Sequence, residues 1–232
     1  MAKRKVSPIA EETTVQEVFA PNQSFLEKYQ VILVYALGGL LLLAGGYWVY
    51  KSAVVGPKQQ EAVAAMWHAQ AMFEQDSFRM ALENPGGGFD GFQALADKYG
   101  GTPAGSTASY YAGICYLQMG DFDNAIQYLE DSSPDGTLLP AVRYGALGDA
   151  HSEKKDYGAA LKYYDQAVDA TENDVLAAYY LKKLAMLNEH EGNKDAALKA
   201  YERIRTDYPN QTSQEWREVE KYIYRVQAAA GK

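Results

Sequence analysis

An all-α fold is predicted: one membrane-crossing helix near the N-terminus, then an α-solenoid closed by a C-terminal capping helix. Three observations carry this. Residues 31–50, VILVYALGGLLLLAGGYWVY, hold no charge, and at about 1.5 Å per residue a helix of that length crosses the roughly 30 Å hydrocarbon layer of a bilayer. Between residues 109 and 209, small and aromatic residues recur at intervals of 35 and 37, as in stacked helix pairs. Trp216, Val219, Tyr222, Ile223 and Val226 share one helical face, which suits a helix covering the open edge of such an array.

The expected organisation follows in order. Residues 1–28 form a disordered tail with a short juxtamembrane helix, and residues 29–51 form the transmembrane helix. Residues 52–107 are a degenerate helical repeat, 108–211 hold three clear repeats, and 212–232 form the capping helix. Ser24 is placed to cap the first helix, with Glu27 in the reciprocal N3 position.

The anchor has the flanks of a membrane span. Lys28 precedes it and Lys51 follows it, with Tyr29 at one end and Tyr47, Trp48 and Tyr50 at the other, where aromatic rings settle at the lipid boundary. A soluble core helix of this length would show a polar face. A signal peptide would have a shorter apolar core and a small-residue cleavage site. Here the leader from Met1 to Gln30 is long and mixed, so the helix reads as uncleaved. Gly38, Gly39, Gly45 and Gly46 repeat after seven residues and fall on one face, a surface that lets another helix approach. No Gly-x-x-x-Gly occurs within the anchor. Lys3, Arg4 and Lys5 lie too far from the membrane to set orientation, and Lys28 on one side is met by Lys51 and Lys58 on the other.

Charge and cysteine content narrow the function. Residues 52–232 carry 17 Lys plus Arg and 26 Asp plus Glu, a net −9, while the first 51 residues carry 5 and 4, a net +1. An acidic domain repels phosphate backbones, so nucleic acid is not expected as a partner. The single cysteine, Cys115, forms no internal disulfide and follows the apolar run too distantly to be a lipid attachment site.

After a Gly56-Pro57 joint, residues 58–82 read as a helix with Val63, Met66, Trp67, Ala71, Phe73 and Phe78 as its apolar residues. Asn84 to Gly88 breaks it, Phe89 to Tyr99 forms a second helix, and Gly100 to Gly105 breaks the chain again. Three segments then align: Ser109–Glu130, Tyr144–Val168 and Leu181–Pro209. Gly113, Gly148 and Ala185 correspond, as do Ala125, Ala160 and Ala197, and Leu129, Tyr164 and Tyr201. Small side chains are needed where two helix backbones come closest, and large ones fill the space beside them. Gly120, Lys155 and Gly192 fall at the turns, Lys155 being the departure.

This pattern resembles the tetratricopeptide repeat. Phe92-x-x-Leu95-x-x-x-Tyr99 matches Tyr201-x-x-Ile204-x-x-x-Tyr208, so residues 58–99 resemble a further, degenerate repeat, while the terminal proline occurs only at Pro209. Thr212-x-x-Glu215 is a capping-box pattern opening the last helix, and residues 228–232 are expected to fray.

No catalytic residues, metal ligands or cofactor site are expected. His68, His151 and His190 are scattered, Cys115 falls at a core position, and Gly86-Gly87-Gly88 lacks the Lys and Ser or Thr of a phosphate loop. An enzyme would require a convergent polar pocket. Asn22-Gln-Ser24 and Asn210-Gln-Thr212 match glycosylation sequons by a pattern common by chance.

The inner helices of a repeat stack line a groove. By register it receives Tyr110, Ile114 and Leu117, then Gly145, Asp149 and Ser152, then Lys182, Met186 and Glu189. The Lys, Asn and Arg set with which some tetratricopeptide domains clamp a terminal carboxylate is replaced by Tyr110 and Ile114. An apolar groove with an acidic margin suits an extended or helical segment with exposed apolar side chains. Two readings stay open: the groove is free, or residues 58–82 cover its first part.

FLEKYQVILV at the anchor, YYAGICYLQMGDFDNAIQYL in the first repeat and LKKLAMLNEHEGNKDAALKAYERIRTDYP in the last resemble the YfgM-type family of single-pass bacterial inner-membrane proteins. The resemblance implies a cytoplasmic N-terminus and a periplasmic repeat domain. It also implies a non-enzymatic, ancillary place beside the Sec translocon and the membrane-anchored periplasmic chaperone PpiD, assisting exported polypeptides. A scaffold subunit of another envelope assembly or division complex shares the same sequence features.

Overall fold

A computed structural model describes residues 20–208 and 214–229, all side chains from residue 29 to 208 and those from 217 to 229. The chain divides into two compact units, Met1–Val54 and Val55–Lys232. The predicted tail up to residue 19, Pro209 and Thr212 of the expected capping box lie outside the described residues.

In the first unit, α1 runs from Ala20 to Tyr50. It starts a turn earlier than expected, so Ser24 lies inside the helix rather than at its cap. None of its apolar window is buried: Leu42 is 80% exposed and Leu43 77%. Water tolerates so large an apolar surface poorly, whereas lipid accepts it in a helix, the form in which a single segment satisfies its own amides. This helix is long and apolar enough to cross a membrane. A Cβ added to Gly38, Gly39, Gly45 or Gly46 would meet nothing within 4 Å.

The Gly56-Pro57 joint is not observed. Lys51–Val55 forms a π turn and α2 runs from Gly56 to Phe73. Pro57 sits in the first turn of α2, a position that tolerates proline.

The second unit is a stack of helix pairs. Its clear pairs are α5 (Pro103–Gln118) with α6 (Phe122–Asp131), α7 (Leu139–Glu153) with α8 (Tyr157–Asp169), and α9 (Asp174–His190) with α10 (Lys194–Asp207). Each outer helix also packs on the next inner one. The aligned small and large residues meet as the repeat pattern predicts. A Cβ on Gly113 would lie 2.6 Å from Leu129 Cγ, and one on Gly148 would lie 2.5 Å from Tyr164 Cδ1. Ala185 and Tyr201 are fully buried in one core cluster. Ala125, Ala160 and Ala197 are also fully buried.

All three turns form, including the one with lysine. Gly120 and Gly192 have φ of 79° and 80°, and Lys155 takes φ 62° in their place. Asp156 holds that turn: its Oδ1 accepts from the Ala159 N–H at 3.3 Å, while Oδ2 lies 3.2 Å from His151 Nδ1. Asp121 caps α6 in the same way. Arg143 donates to the carbonyls of Leu129 and Glu130, satisfying the last turn of α6.

The region before the first clear pair departs from expectation. The helix expected over residues 58–82 breaks at Glu74–Ser77, where Asp76 has φ 56°, and resumes as α3 (Phe78–Glu83). Met66 is buried as expected, but Val63 and Trp67 are exposed, and Ala62 and Ala69 complete the packing face of α2. The next helix, α4, starts at Phe92 rather than Phe89 and ends at Lys98. Gly91 precedes it because the backbone of Leu82 comes so close that a Cβ would lie 2.3 Å from its carbonyl oxygen. The predicted break before α5 is shorter than expected, since Thr102 caps that helix and accepts from the Gly105 N–H at 3.0 Å. Two hydrogen bonds tie α2 to its neighbours: the Tyr99 hydroxyl donates to Glu61 Oε1 at 2.8 Å, and the Ala104 N–H donates to Gln59 Oε1 at 2.7 Å.

The last helix, α11, runs from Gln214 to Ala229 and packs on α10 and α9. Val219, Ile223 and Val226 are buried in the same core as Tyr201 and Ile204, so the capping role is observed.

Among the three repeat turns, Lys155 is the non-glycine residue held in the left-handed region at the cost of a Cβ clash. Lys155→Gly should stabilise the protein by about 0.5–1 kcal/mol, read from denaturant unfolding; an unchanged or lower midpoint would contradict this account of the turn.

Candidate protein-binding groove

The inner helices place the predicted groove residues in different surroundings. Tyr110 is buried with Leu129, Ala146 and Leu147, and Ile114 and Leu117 pack on the same cluster. What covers Tyr110 is therefore α7 of the following pair, not residues 58–82. Burial raises the Tyr110 phenol to about 12. The first third of the groove is thus largely a seam between repeats, with only Leu117 reaching its open part.

The open part centres on Asp149 of α7. Lys183 Nζ donates to Asp149 Oδ1 at 2.6 Å and to Oδ2 at 2.8 Å, and the Tyr164 hydroxyl donates to Oδ1 at 2.7 Å. Tyr164 comes from α8 and passes across Gly148, the residue without a Cβ, to reach this carboxylate. Lys183 lies over the rings of Tyr179 and Tyr164, at 5.1 and 5.6 Å. Burial works against the ammonium charge of Lys183, but attraction and hydrogen bonding to Asp149 outweigh it, so its pKa lies above the usual lysine value. Burial, then the Asp149 charge, push the Tyr164 phenol well up.

Around this pair lie two adjoining hollows, about 500 and 360 Å³, which share Ser152, Glu153, Tyr164 and Lys183. Leu117 and Phe122 wall the first, and Met186 and Leu187 wall the second.

Lys182 and Glu189 point elsewhere. Lys182 lies 3.7 Å from Glu218 and over the ring of Tyr222, both on α11. Glu189 accepts from the Tyr201 hydroxyl at 2.8 Å and from Arg225 Nε at 3.2 Å. The capping helix therefore occupies the inner face of the last pair at these two positions. Met186 remains 48% exposed on the groove side.

Lys183 is the groove cation that register alone misses by one position. Asp149 and Lys183 stand 34 residues apart, three short of the 37-residue interval between these repeats, so Lys183 lies about one helical turn before the position that corresponds to Asp149. Tyr164 is legible as a packing residue, but its hydroxyl reaching the groove is not.

The remaining candidate side chains are engaged in packing. Cys115 is fully buried, and burial raises its thiol to about 12. His68 stacks on Phe89 with ring centroids 3.3 Å apart, His151 stacks on Tyr163, and His190 meets Tyr157 edge-on. Among the described residues no three His, Cys, Asp or Glu side chains converge as metal ligands.

Tetratricopeptide-repeat family models match residues 107–131, which span α5 and α6, and residues 146–212, which run from α7 past the end of α10. No curated protein matches the chain. The helix pairs are tetratricopeptide repeats, and repeats of this kind are protein–protein interaction modules.

Removing Lys183 leaves Asp149 half-buried without its cation. Lys183→Met should cost about 1–2 kcal/mol. Because the folded-state pKa of Lys183 is raised, the pair's contribution is complete below the ordinary lysine value and fades as pH rises through the raised one. The stability gap between wild type and variant should therefore hold at neutral pH and narrow above about pH 10.5 in unfolding titrations. A gap that stays constant to the highest pH at which the fold survives would contradict the pairing.

Proposed function

We infer that this is a non-enzymatic, membrane-tethered interaction module of a bacterial inner membrane, with its N-terminus cytoplasmic and its repeats periplasmic. Its role is ancillary to the Sec translocon and to a PpiD-like membrane-anchored chaperone, and it assists the export and folding of secreted polypeptides. The observation that carries this reading is the pairing of parts: an unburied apolar helix of membrane-spanning length precedes a stack of interaction repeats. The family resemblance of residues 25–34, 110–129 and 181–209 supplies the location and the partners.

The physical logic is effective concentration. A module held in the membrane meets a membrane partner at a local concentration far above the bulk, so weak intrinsic affinity suffices. The acidic repeat unit, net −9 over residues 52–232, disfavours nucleic acid and favours protein partners with complementary charge. Gly38, Gly39, Gly45 and Gly46 give the anchor a smooth face for a neighbouring transmembrane helix.

Two measurements test the proposal together. Purified from detergent extracts of its native membrane, the protein should bring with it Sec subunits or a periplasmic chaperone. Protease added to spheroplasts should degrade the repeats and spare the anchor. Recovery without either kind of partner would sink the export role, and repeats protected until lysis would sink the topology.

A further inference from the structure

We propose that the furrow between α7 and α9 binds a partner segment that presents an apolar side chain together with a lysine or arginine about five residues away. This rests on reading the repeats as a protein-binding module, and it specifies the chemistry of what they bind.

Two helical stripes form the walls. Leu138, Val142, Gly145, Asp149 and Ser152 follow one another along α7 and the residue before it, and Val175, Tyr179, Lys183 and Met186 do so along α9. Spacings of three and four keep each set on a single face. The N-terminal end of this furrow holds an apolar hollow of about 300 Å³ lined by Leu138, Val142, Val175, Leu176 and Tyr179. Its one polar neighbour, Asn173, is already used: Oδ1 accepts from the Leu176 N–H at 3.0 Å. Leu138 and Val175 are about half exposed, as is Met186 at the far end. Tyr179 joins the two ends, since its ring lines the hollow and also lies beneath the Lys183 ammonium.

At the C-terminal end, charge selects the occupant. The Lys183 ammonium and the Asp149 carboxylate are committed to each other. Glu153 is not: it is exposed, lines both hollows there, and no ion pair reaches it among the described residues. Its neighbour Lys154 is turned to Asp123. An incoming cation therefore finds a carboxylate at once, whereas an incoming anion must first take Lys183 from Asp149. The acidic balance of the whole unit acts in the same direction. From Val175 to Met186 is eleven residues of helix, about 16 Å, which an extended segment covers with about five residues.

The test uses full-length protein in detergent micelles and fluorescein-labelled ten-residue peptides. One probe carries two leucines and, five residues on, two lysines. A second has glutamates in place of the lysines, and a third has serines in place of the leucines. Fluorescence anisotropy should show the first probe binding and each of the others weakened at least about tenfold. Glu153→Lys and Val175→Asp should each weaken the first probe by a similar factor. Asp165→Lys, an exposed change on α8, should leave it unaffected, with helical circular dichroism unchanged throughout. Equal binding of the glutamate probe, or indifference to Glu153→Lys, would overturn the proposal. If no probe binds while translocon subunits still co-purify, the furrow is wrong and the export role stands. If the lysine probe binds as described but no translocon or chaperone component co-purifies, the furrow stands and the export role fails.

Discussion

A nearly absent side chain on each inner helix, facing a bulky one from its outer partner, is the contact on which the repeat stack depends. Gly113 accepts Leu129, Gly148 accepts Tyr164, and Ala185 shares a core with Tyr201. Between repeats the same device recurs: a Cβ on Gly145 would lie 2.1 Å from the ring of Tyr180 on α9. Interiors pack close to crystal density, so such a gap between helices is filled by one specific partner or left as a costly void. The same contact shapes the inner face. Only because Gly148 has no Cβ does the Tyr164 ring cross α7 and bring its hydroxyl to Asp149. Tyr201 makes the corresponding reach to Glu189, where the capping helix adds Arg225 and closes the position.

What could be read in the sequence follows from this device. Small and large residues that must meet recur at a nearly fixed period, so the three pairs, their turns and the cap are legible without coordinates. In residues 58–99 the core positions Met66, Phe92, Leu95 and Tyr99 were legible, but α2 was harder because alanines make up much of its core face. Ala62 and Ala69 are buried while Val63 and Trp67 are exposed, so a search for large apolar residues chooses the wrong face. The groove was legible in place but not in detail. Adjacent helical positions differ by about 100°, so Lys182 reaches the capping helix and Lys183 the groove. Tyr110 lies against a helix from the following repeat, a long-range contact that register within one repeat does not reveal.

The two units differ in what they expose. The first exposes apolar residues along its whole described length after Gln30 and gains nothing by packing on itself. The second gathers apolar residues into buried clusters and carries a net charge of −9 over residues 52–232. On its inner face the half-buried Asp149–Lys183 pair sits between apolar walls that remain partly open. A buried ion pair gives little net stability once desolvation is counted, whereas a pair in an open furrow leaves polar specificity and apolar contact side by side.

The central claim is that a membrane-held stack of helix pairs grips other polypeptides on its inner face. Its most direct test is site-specific photo-crosslinking in intact membranes, with the crosslinking residue placed at Met186 on α9 or at Asp165 on the outer helix α8, both exposed. The account predicts defined protein adducts from Met186 and few or none from Asp165. Adducts of equal yield from both positions, or from Asp165 alone, would contradict it.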